Sequence, residues 1–193
     1  EGLGETKLEI AANAFSKLFV KVVPRIPEIV SSKAEGFKGR PNLERIDIDI
    51  KFEEYEKLLR DRDRAIKNQI LTDPQEVKAK LRYKGSQIGA KVRLKGDLSD
   101  HWRSPIRMSL RVELKGNQAI KSFKRFSLHS PGSRQYPYDQ IFQKLMQKAG
   151  NLSSSHDYVR VFVNGINWGV MNIEEHMSKE LLEKQEVKES IIF

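Results

Sequence analysis

The feature that most constrains the fold is a two-residue alternation of apolar and charged side chains, which returns in several separate segments of the chain. Residues 46–52 read Ile-Asp-Ile-Asp-Ile-Lys-Phe, and residues 77–83 and 88–94 follow the same period. Successive side chains of a strand point to opposite faces, so this period predicts β-strands with one buried face. Further segments with strand character lie at 108–114, 122–129, 159–163 and 168–173.

The connections between these segments predict how the strands pair. Lys84-Gly85-Ser86 and Asn164-Gly165 have the composition of tight hairpin turns, which favours antiparallel neighbours. Two segments with helical spacing lie at 53–69 and 137–149, and the second is expected to bury its apolar stripe; a last helix begins near Ser178. The predicted fold class is therefore α+β, with a largely antiparallel sheet and flanking helices.

The chain is expected to contain two parts, an N-terminal arm at 1–42 and a domain at 43–193. In the arm, apolar residues from Leu8 to Val22 follow helical spacing. We expect this stripe to pack on a protein rather than on a membrane, because few basic residues surround it. The first residue is not Met, and the last residues, 190–193, have the composition of a strand. Both ends therefore favour a piece of a longer chain.

Charge and composition narrow the class of partner. The chain carries 35 Lys and Arg against 26 Asp and Glu, a net charge of +9, which favours anionic partners such as phosphates, acidic proteins or lipid surfaces. The basic residues do not cluster around aromatic residues, so nucleic acid is not expected as a partner. The absence of cysteine excludes thiolate metal sites and a cysteine nucleophile. No apolar run is long enough for a transmembrane segment.

Three short motifs follow one another in the second part of the chain. Residues 92–99 read Val-Arg-Leu-Lys-Gly-Asp-Leu-Ser, residues 124–128 read Lys-Arg-Phe-Ser-Leu, and residues 159–175 read VRVFVNGINWGVMNIEE. Together these motifs resemble those of the CotH kinase-like family, the spore coat protein H type. The resemblance covers roughly residues 44–193, and it identifies this region as the N-terminal portion of such a domain, truncated at its C-terminus.

The resemblance implies a fold and an activity. It implies a sheet that resembles a protein-kinase N-lobe with an N-terminal helical extension, and a transferase that binds ATP with Mg or Mn and phosphorylates Ser or Thr of a protein. The catalytic aspartates of such kinases lie beyond the matched region, so we expect this fragment to be inactive. A protein substrate or a coat or envelope protein is the implied partner, in a bacterial extracytoplasmic location. The alternative is a non-catalytic coat or envelope module, and the oligomeric state is not predicted.

The loop at 95–104 is the first candidate site for the cofactor. In a kinase-like sheet this loop would cover the triphosphate, with Gly96 allowing close approach of the backbone and Lys95 or Arg103 neutralising phosphate oxygens. The alternative is an ordinary polar loop between two strands, with Trp102 packed beneath it. Both interpretations require the loop to join two neighbouring strands.

Lys124 is the second candidate for binding the nucleotide. It shares a strand face with Phe126 and Leu128, and a lysine on an apolar face needs an anionic partner. The strand before the helix is also where a kinase places its phosphate-binding lysine. The alternative is that Lys124 extends from the strand end into water. The helix at 137–149 contains no glutamate to pair with this lysine, so the pair is either replaced, for example through Gln143, or missing.

Glu174 and Glu175 complete the predicted cofactor-binding residues. The resemblance places them at the segment that would contact adenine. Adjacent residues of a strand point to opposite faces, so the two carboxylates are not expected to bind one metal ion together. His101, His129 and His156 lack the spacing of metal ligands, and no metal site and no catalytic residue is predicted within the chain.

Overall fold

The computed structural model describes residues 42–186. The helix predicted within 8–22 and the strand predicted at 190–193 lie outside the described residues, and the boundary after residue 42 stays a prediction. Among residues 42–186 no helix combines the length and the apolar character needed to cross a membrane. The elements in chain order are β1 (Arg45–Ile50), α1 (Phe52–Asn68), β2 (Val77–Tyr83), β3 (Ser86–Leu94), β4 (Leu110–Leu114), β5 (Arg125–His129), α2 (Tyr138–Lys148), β6 (His156–Val163), β7 (Ile166–Glu175) and α3 (Lys179–Lys184).

The seven strands form a closed barrel in the order β1-β2-β3-β4-β5-β7-β6. Six of the neighbouring pairs are antiparallel, and the parallel pair β1–β6 closes the barrel with Ile46 opposite Val161. The predicted α+β fold, an antiparallel sheet with flanking helices that resembles a kinase N-lobe, is therefore wrong. Alternation predicts that each strand has a buried face, but a closed barrel and an open sheet both satisfy that pattern.

The apolar face of every strand points into the barrel. Side chains such as Ile46, Leu81, Val92 and Phe126 are fully or almost fully buried there, while the charged residues between them face outwards. The turns predicted at Lys84-Gly85 and Asn164-Gly165 are confirmed, since all four residues have positive φ angles of 48° to 80°. Most of the charged residues therefore lie on the outer face of the barrel, where cross-strand register decides which side chains meet.

A β-bulge between β6 and β7 changes which side chains of β7 point inwards. The register shifts between Val161 and Phe162, and Gly169 on β7 adopts φ +82°. A shift of one residue moves every later side chain to the other face of the sheet. Beyond the bulge Ile173 and Glu175 are buried, while Glu174 lies on the outer face next to β5.

The helices differ in how they pack. α1 buries Leu58 and Ala65, and the buried Asp61 carboxylate accepts a hydrogen bond of 2.6 Å from the backbone N–H of Gln75. α2 contains no buried residue, and Tyr138 and Phe142 remain 61% and 49% exposed. The prediction that α2 buries its apolar stripe is therefore wrong for Tyr138 and Phe142, whereas Ile141, Leu145 and Met146 are half-buried.

Candidate anion-binding cleft

A row of polar side chains crosses four strands on the outer face of the barrel. Arg93 on β3 stands opposite Arg111 on β4, Arg111 opposite Ser127 on β5, and Ser127 opposite Glu174 on β7. Like charges directly opposite each other on neighbouring strands repel. Within residues 42–186 neither arginine forms an ion pair, and the Nε of Arg111 is buried without a hydrogen-bond partner. The row therefore concentrates positive charge that the described fold does not neutralise.

The arginine pair lines a cavity of about 420 Å³, called the cleft below. Lys95 at the end of β3 and Arg134 in the segment before α2 add two further cations to its wall. Asp97 is the only carboxylate among the residues that line this cavity. A pocket with four cations and one carboxylate on its walls favours a ligand with several negative charges.

Lys95 lies deep in the cleft, with its side chain 17% exposed and its Nζ 3.8 Å from an oxygen of Glu174. Burial lowers the pKa of Lys95 to about 8; Glu174 opposes this effect, whereas Arg134, Arg111 and Arg93 add to it. The ammonium is therefore mostly protonated at neutral pH but poorly compensated. An anion in the cleft would favour its charged form.

Glu174 holds the cationic side chains in place. Its carboxylate accepts two hydrogen bonds of 2.9 Å and 3.2 Å from the guanidinium of Arg134 to one oxygen, and one of 3.0 Å to the other. The Nε2 of His129 lies 2.7 Å from the same carboxylate. Burial alone would raise the pKa of Glu174, but His129, Lys95 and Arg134 outweigh burial and hold this pKa well below its usual range.

His129 is neutral in this arrangement. Burial lowers its pKa to about 4, although the hydrogen bond to Glu174 opposes the effect. A nitrogen 2.7 Å from a carboxylate must carry a proton, so Nε2–H donates to Glu174. The Nζ of Lys95 lies 3.3 Å from the same nitrogen, and Nδ1 is buried without a partner. His129 thus orients the carboxylate without adding charge to the cleft.

The segment between β3 and β4 closes one side of the cleft. Gly96 adopts φ +95°, and a Cβ atom at this position would lie 2.1 Å from the ring of His101. The indole N–H of Trp102 donates to the carbonyl of Gly96 at 3.2 Å, and Trp102 is 2% exposed. Trp102 thus packs beneath the loop, which is the feature that the alternative interpretation of an ordinary polar loop contained. Only glycine fits where the His101 ring covers the loop backbone.

Three of the six residues predicted to bind the cofactor lie together. Lys95 and Gly96 line the cleft, and Glu174 is in contact with Lys95 across the outer face of the barrel. The glutamate expected on the helix at 137–149 was a partner for Lys124, whereas the lysine that lies beside a glutamate of β7 is Lys95.

The other three predicted residues lie away from the residues that line the cleft. The guanidinium of Arg103 is 3.4 Å from the hydroxyl of Ser99 in an exposed position. The Nζ of Lys124 is 3.9 Å from Glu180, and the buried Glu175 accepts hydrogen bonds of 3.2 Å and 3.3 Å from Lys184. The two adjacent glutamates therefore point to different surroundings, as the strand period predicts.

Sequence reasoning did not single out Arg93, Arg111, Arg134 or His129 as site residues. Arg93 and Arg111 occupy the polar positions of alternating strands, where a residue that simply faces water gives the same pattern. Their juxtaposition depends on the register of β3 and β4, which the period alone does not contain. Arg134 could have been noticed only after its segment was placed beside β7.

The resemblance also implies a divalent cation with the nucleotide. Within the described range no group of three or more His, Asp or Glu side chains lies close enough to hold a metal ion. These residues therefore do not fit a metal site made by the protein alone. The cationic walls of the cleft do fit a polyphosphate.

Comparison with known proteins agrees with the motifs. The model of a protein family described as CotH kinase protein matches residues 81–192, more than half of the chain. A search of curated proteins found no match. The matched region includes the cations of the cleft and both glutamates. The chain belongs to the CotH kinase family.

Proposed function

We propose that this member of the CotH kinase family binds the phosphate groups of ATP in the cleft and forms the nucleotide-binding part of a protein kinase. The observation that carries the proposal is the cleft itself, where Arg93, Lys95, Arg111 and Arg134 face one cavity of about 420 Å³. Burial lowers the pKa of Lys95 and the three arginines add to the effect, so the cations of the cleft outweigh the attraction of Glu174. Buried cations without enough carboxylates are costly unless an anion binds them.

The cations have different roles in this proposal. Arginine presents a planar fork that can bind two phosphate oxygens at once, whereas lysine acts as a compact point charge. Glu174 fixes the direction of Arg134 and Lys95 before the ligand arrives. Charged groups that are already oriented lose little freedom on binding, so the ligand gains most of their attraction.

The reaction implied by the family is transfer of the terminal phosphoryl group of ATP to a Ser or Thr hydroxyl of a protein, in a bacterial spore coat or cell envelope. Phosphoryl transfer depends chiefly on positioning and on stabilising negative charge at the transferred group. The described residues contribute orientation and positive charge, and we assign no proton transfer to any of them.

The proposal is tested by measuring the binding of ATP to the wild-type chain and to two lysine variants by isothermal titration calorimetry. Lys95→Ala should weaken binding at least tenfold, because Lys95 lies in the cleft. Lys124→Ala removes the same charge near Glu180 and should leave the affinity within about twofold of the wild type. The opposite result would support the earlier expectation that Lys124 binds the phosphates. No ATP binding by the wild-type chain would contradict the proposal.

One observation supports a second candidate, a non-catalytic module that binds a coat or envelope protein. Tyr138 and Phe142 on α2 remain exposed, and exposed aromatic side chains on one helix face are typical of a protein-binding surface. This candidate predicts that Phe142→Ser weakens binding to a protein partner while nucleotides do not bind. The calorimetric experiment therefore separates the two candidates without knowledge of the partner.

A further inference from the structure

The cleft shares two of its arginines with a second cavity on the same outer face. This second cavity has a volume of about 190 Å³, and Arg93 and Arg111 belong to the walls of both cavities. We infer that one linear polyphosphate chain spans both cavities, with the arginine pair between its anionic groups. The inference rests on the proposed function and specifies the part of the ligand that the site recognises.

The charges of the second cavity leave the arginine pair available to a ligand. Its two carboxylates are already engaged, since Glu76 pairs with Lys91 at 3.0 Å and Glu113 pairs with Arg125 at 3.4 Å. His176 also lines this cavity, and burial lowers its pKa, with Arg111 adding to the effect. In its neutral form His176 can donate a hydrogen bond to an anion, but it carries no negative charge that could neutralise the arginines.

The arginine pair has almost no partner within the described chain. Arg93 donates one long hydrogen bond of 3.5 Å to the carbonyl of Leu94, and the buried Nε of Arg111 has no partner among residues 42–186. Arg93 and Arg111 are direct cross-strand neighbours, so their charges repel. An anion placed between or beside both guanidinium groups would relieve this repulsion and supply the missing acceptors.

The two-cavity arrangement predicts a dependence on chain length. A single phosphate can occupy the cleft or the second cavity but not both, whereas a chain of several phosphates can reach Lys95 and Arg134 on one side of the arginine pair and Arg125 on the other. Each further phosphate should therefore add contacts. The same chemistry occurs in the tail of a nucleoside triphosphate and in free inorganic polyphosphate.

The test is a calorimetric series with orthophosphate, pyrophosphate, tripolyphosphate, AMP and ATP at constant ionic strength. Tripolyphosphate should bind at least tenfold more tightly than orthophosphate, and ATP at least tenfold more tightly than AMP. Arg93→Gln and Arg111→Gln should each reduce both ratios to about threefold or less. Arg160→Gln is the matched control, because Arg160 is an exposed strand arginine outside both cavities, and it should leave both ratios unchanged.

The outcomes separate this inference from the proposed function. Equal affinity for the three inorganic anions, or a chain-length dependence that persists in both arginine variants, would overturn the inference even if Lys95→Ala abolishes ATP binding. Both Arg→Gln variants should melt no lower than the wild type, and Arg93→Lys and Arg111→Lys should restore part of the ratio by returning the charge. Equal affinities for ATP and tripolyphosphate would identify free inorganic polyphosphate as the ligand. A higher affinity for ATP would identify the triphosphate tail of the nucleotide as the ligand.

Discussion

Two charged clusters on the barrel differ in their balance of charge: one is neutral and the other has an excess of cations. The first, which we call the clamp, contains Glu44, Tyr83, Lys84, Lys121 and Asp157. In the clamp two lysines meet two carboxylates, with Lys121 2.9 Å from Glu44 and 2.6 Å from Asp157. Hydrogen bonds from Lys84, Tyr83 and Lys121 lower the pKa of Glu44 to about 2. Every charge in the clamp thus has a partner supplied by the fold.

The cleft, in contrast, holds more cations than carboxylates. Its four cations face Asp97 and the neighbouring Glu174, and the pKa of Lys95 is lowered rather than raised. In the clamp, by contrast, burial alone would lower the pKa of Lys121, but the hydrogen bonds to Asp157 and Glu44 together outweigh burial and raise it. The difference suggests a criterion for separating a structural ion-pair cluster from a proposed binding site: the ion-pair cluster is neutral, whereas the site proposed to bind an anion has an excess of cations.

The largest difference between the clusters should appear when each loses a carboxylate. Glu174→Ala leaves Lys95 and Arg134 without their acceptor in a partly buried site, and should lower the free energy of unfolding by about 3 kcal/mol. Asp157→Ala removes a carboxylate that is 51% exposed, and should cost less than about 1 kcal/mol. Urea denaturation at pH 7 without added phosphate measures both values.

A matched replacement sharpens this comparison. Glu174→Gln keeps the shape of the side chain and can still accept a hydrogen bond from His129 or Arg134, so its effect should be smaller than that of Glu174→Ala. Added phosphate should restore part of the lost stability in both Glu174 variants, because the anion replaces the missing negative charge. Equal losses for Glu174→Ala and Asp157→Ala would show that the clusters do not differ in this way.

The sequence predicts the strands of the barrel far better than their arrangement. Alternation at 46–52 and 77–94 places the observed strands within a few residues, and the Asn164-Gly165 turn is confirmed. Closure depends on parallel pairing between β1 and β6, which are more than 100 residues apart, and no local pattern records that pairing. α2 has the apolar period of a packed helix, but that period does not say which surface covers it.

The site was predictable to the extent that it follows local chemistry. The motif at 92–99 drew attention to Lys95 and Gly96, and the two-residue period correctly separated Glu174 from Glu175. The β-bulge decides which of these two glutamates faces the cleft, and the sequence alone does not position a bulge. Arg111 illustrates the same limit, because its importance comes from the residue opposite it on the next strand.

The next effect concerns pH and the lowered pKa of Lys95. An anion binds the protonated amine more tightly, so affinity for ATP should be highest below pH 8 and fall by up to about tenfold per pH unit above it. The pKa of Glu174 is held well below its usual range, so Glu174 stays ionised between pH 7 and 9.5, and the terminal phosphate, with a pKa of about 6, is ionised throughout. Calorimetric titration across this range measures the slope.

Lys95→Arg provides the control for that slope. Arginine remains protonated up to pH 9.5, so the variant should bind ATP with an affinity that is nearly constant across the range. The clamp offers a second control, since Lys121→Arg should leave the pH dependence of ATP affinity as it is in the wild type. A slope that persists in Lys95→Arg would mean that another group takes up the proton, and the role assigned to Lys95 would be wrong.

The smallest predicted effect is a change in the free energy of unfolding, which should be positive for a variant of the cleft and negative for a variant of the clamp. Arg111→Gln removes one of two like charges that stand opposite each other, so without a bound anion it should raise the free energy of unfolding by about 0.2–1 kcal/mol. Lys121→Gln removes a cation from the clamp and should lower the free energy of unfolding by a similar amount, since Glu44 and Asp157 lose their shared partner. Urea denaturation in a buffer without phosphate or sulfate resolves the signs.

Added tripolyphosphate should then stabilise the wild type more than Arg111→Gln, because a site that holds unbalanced cations is less stable until its anion binds.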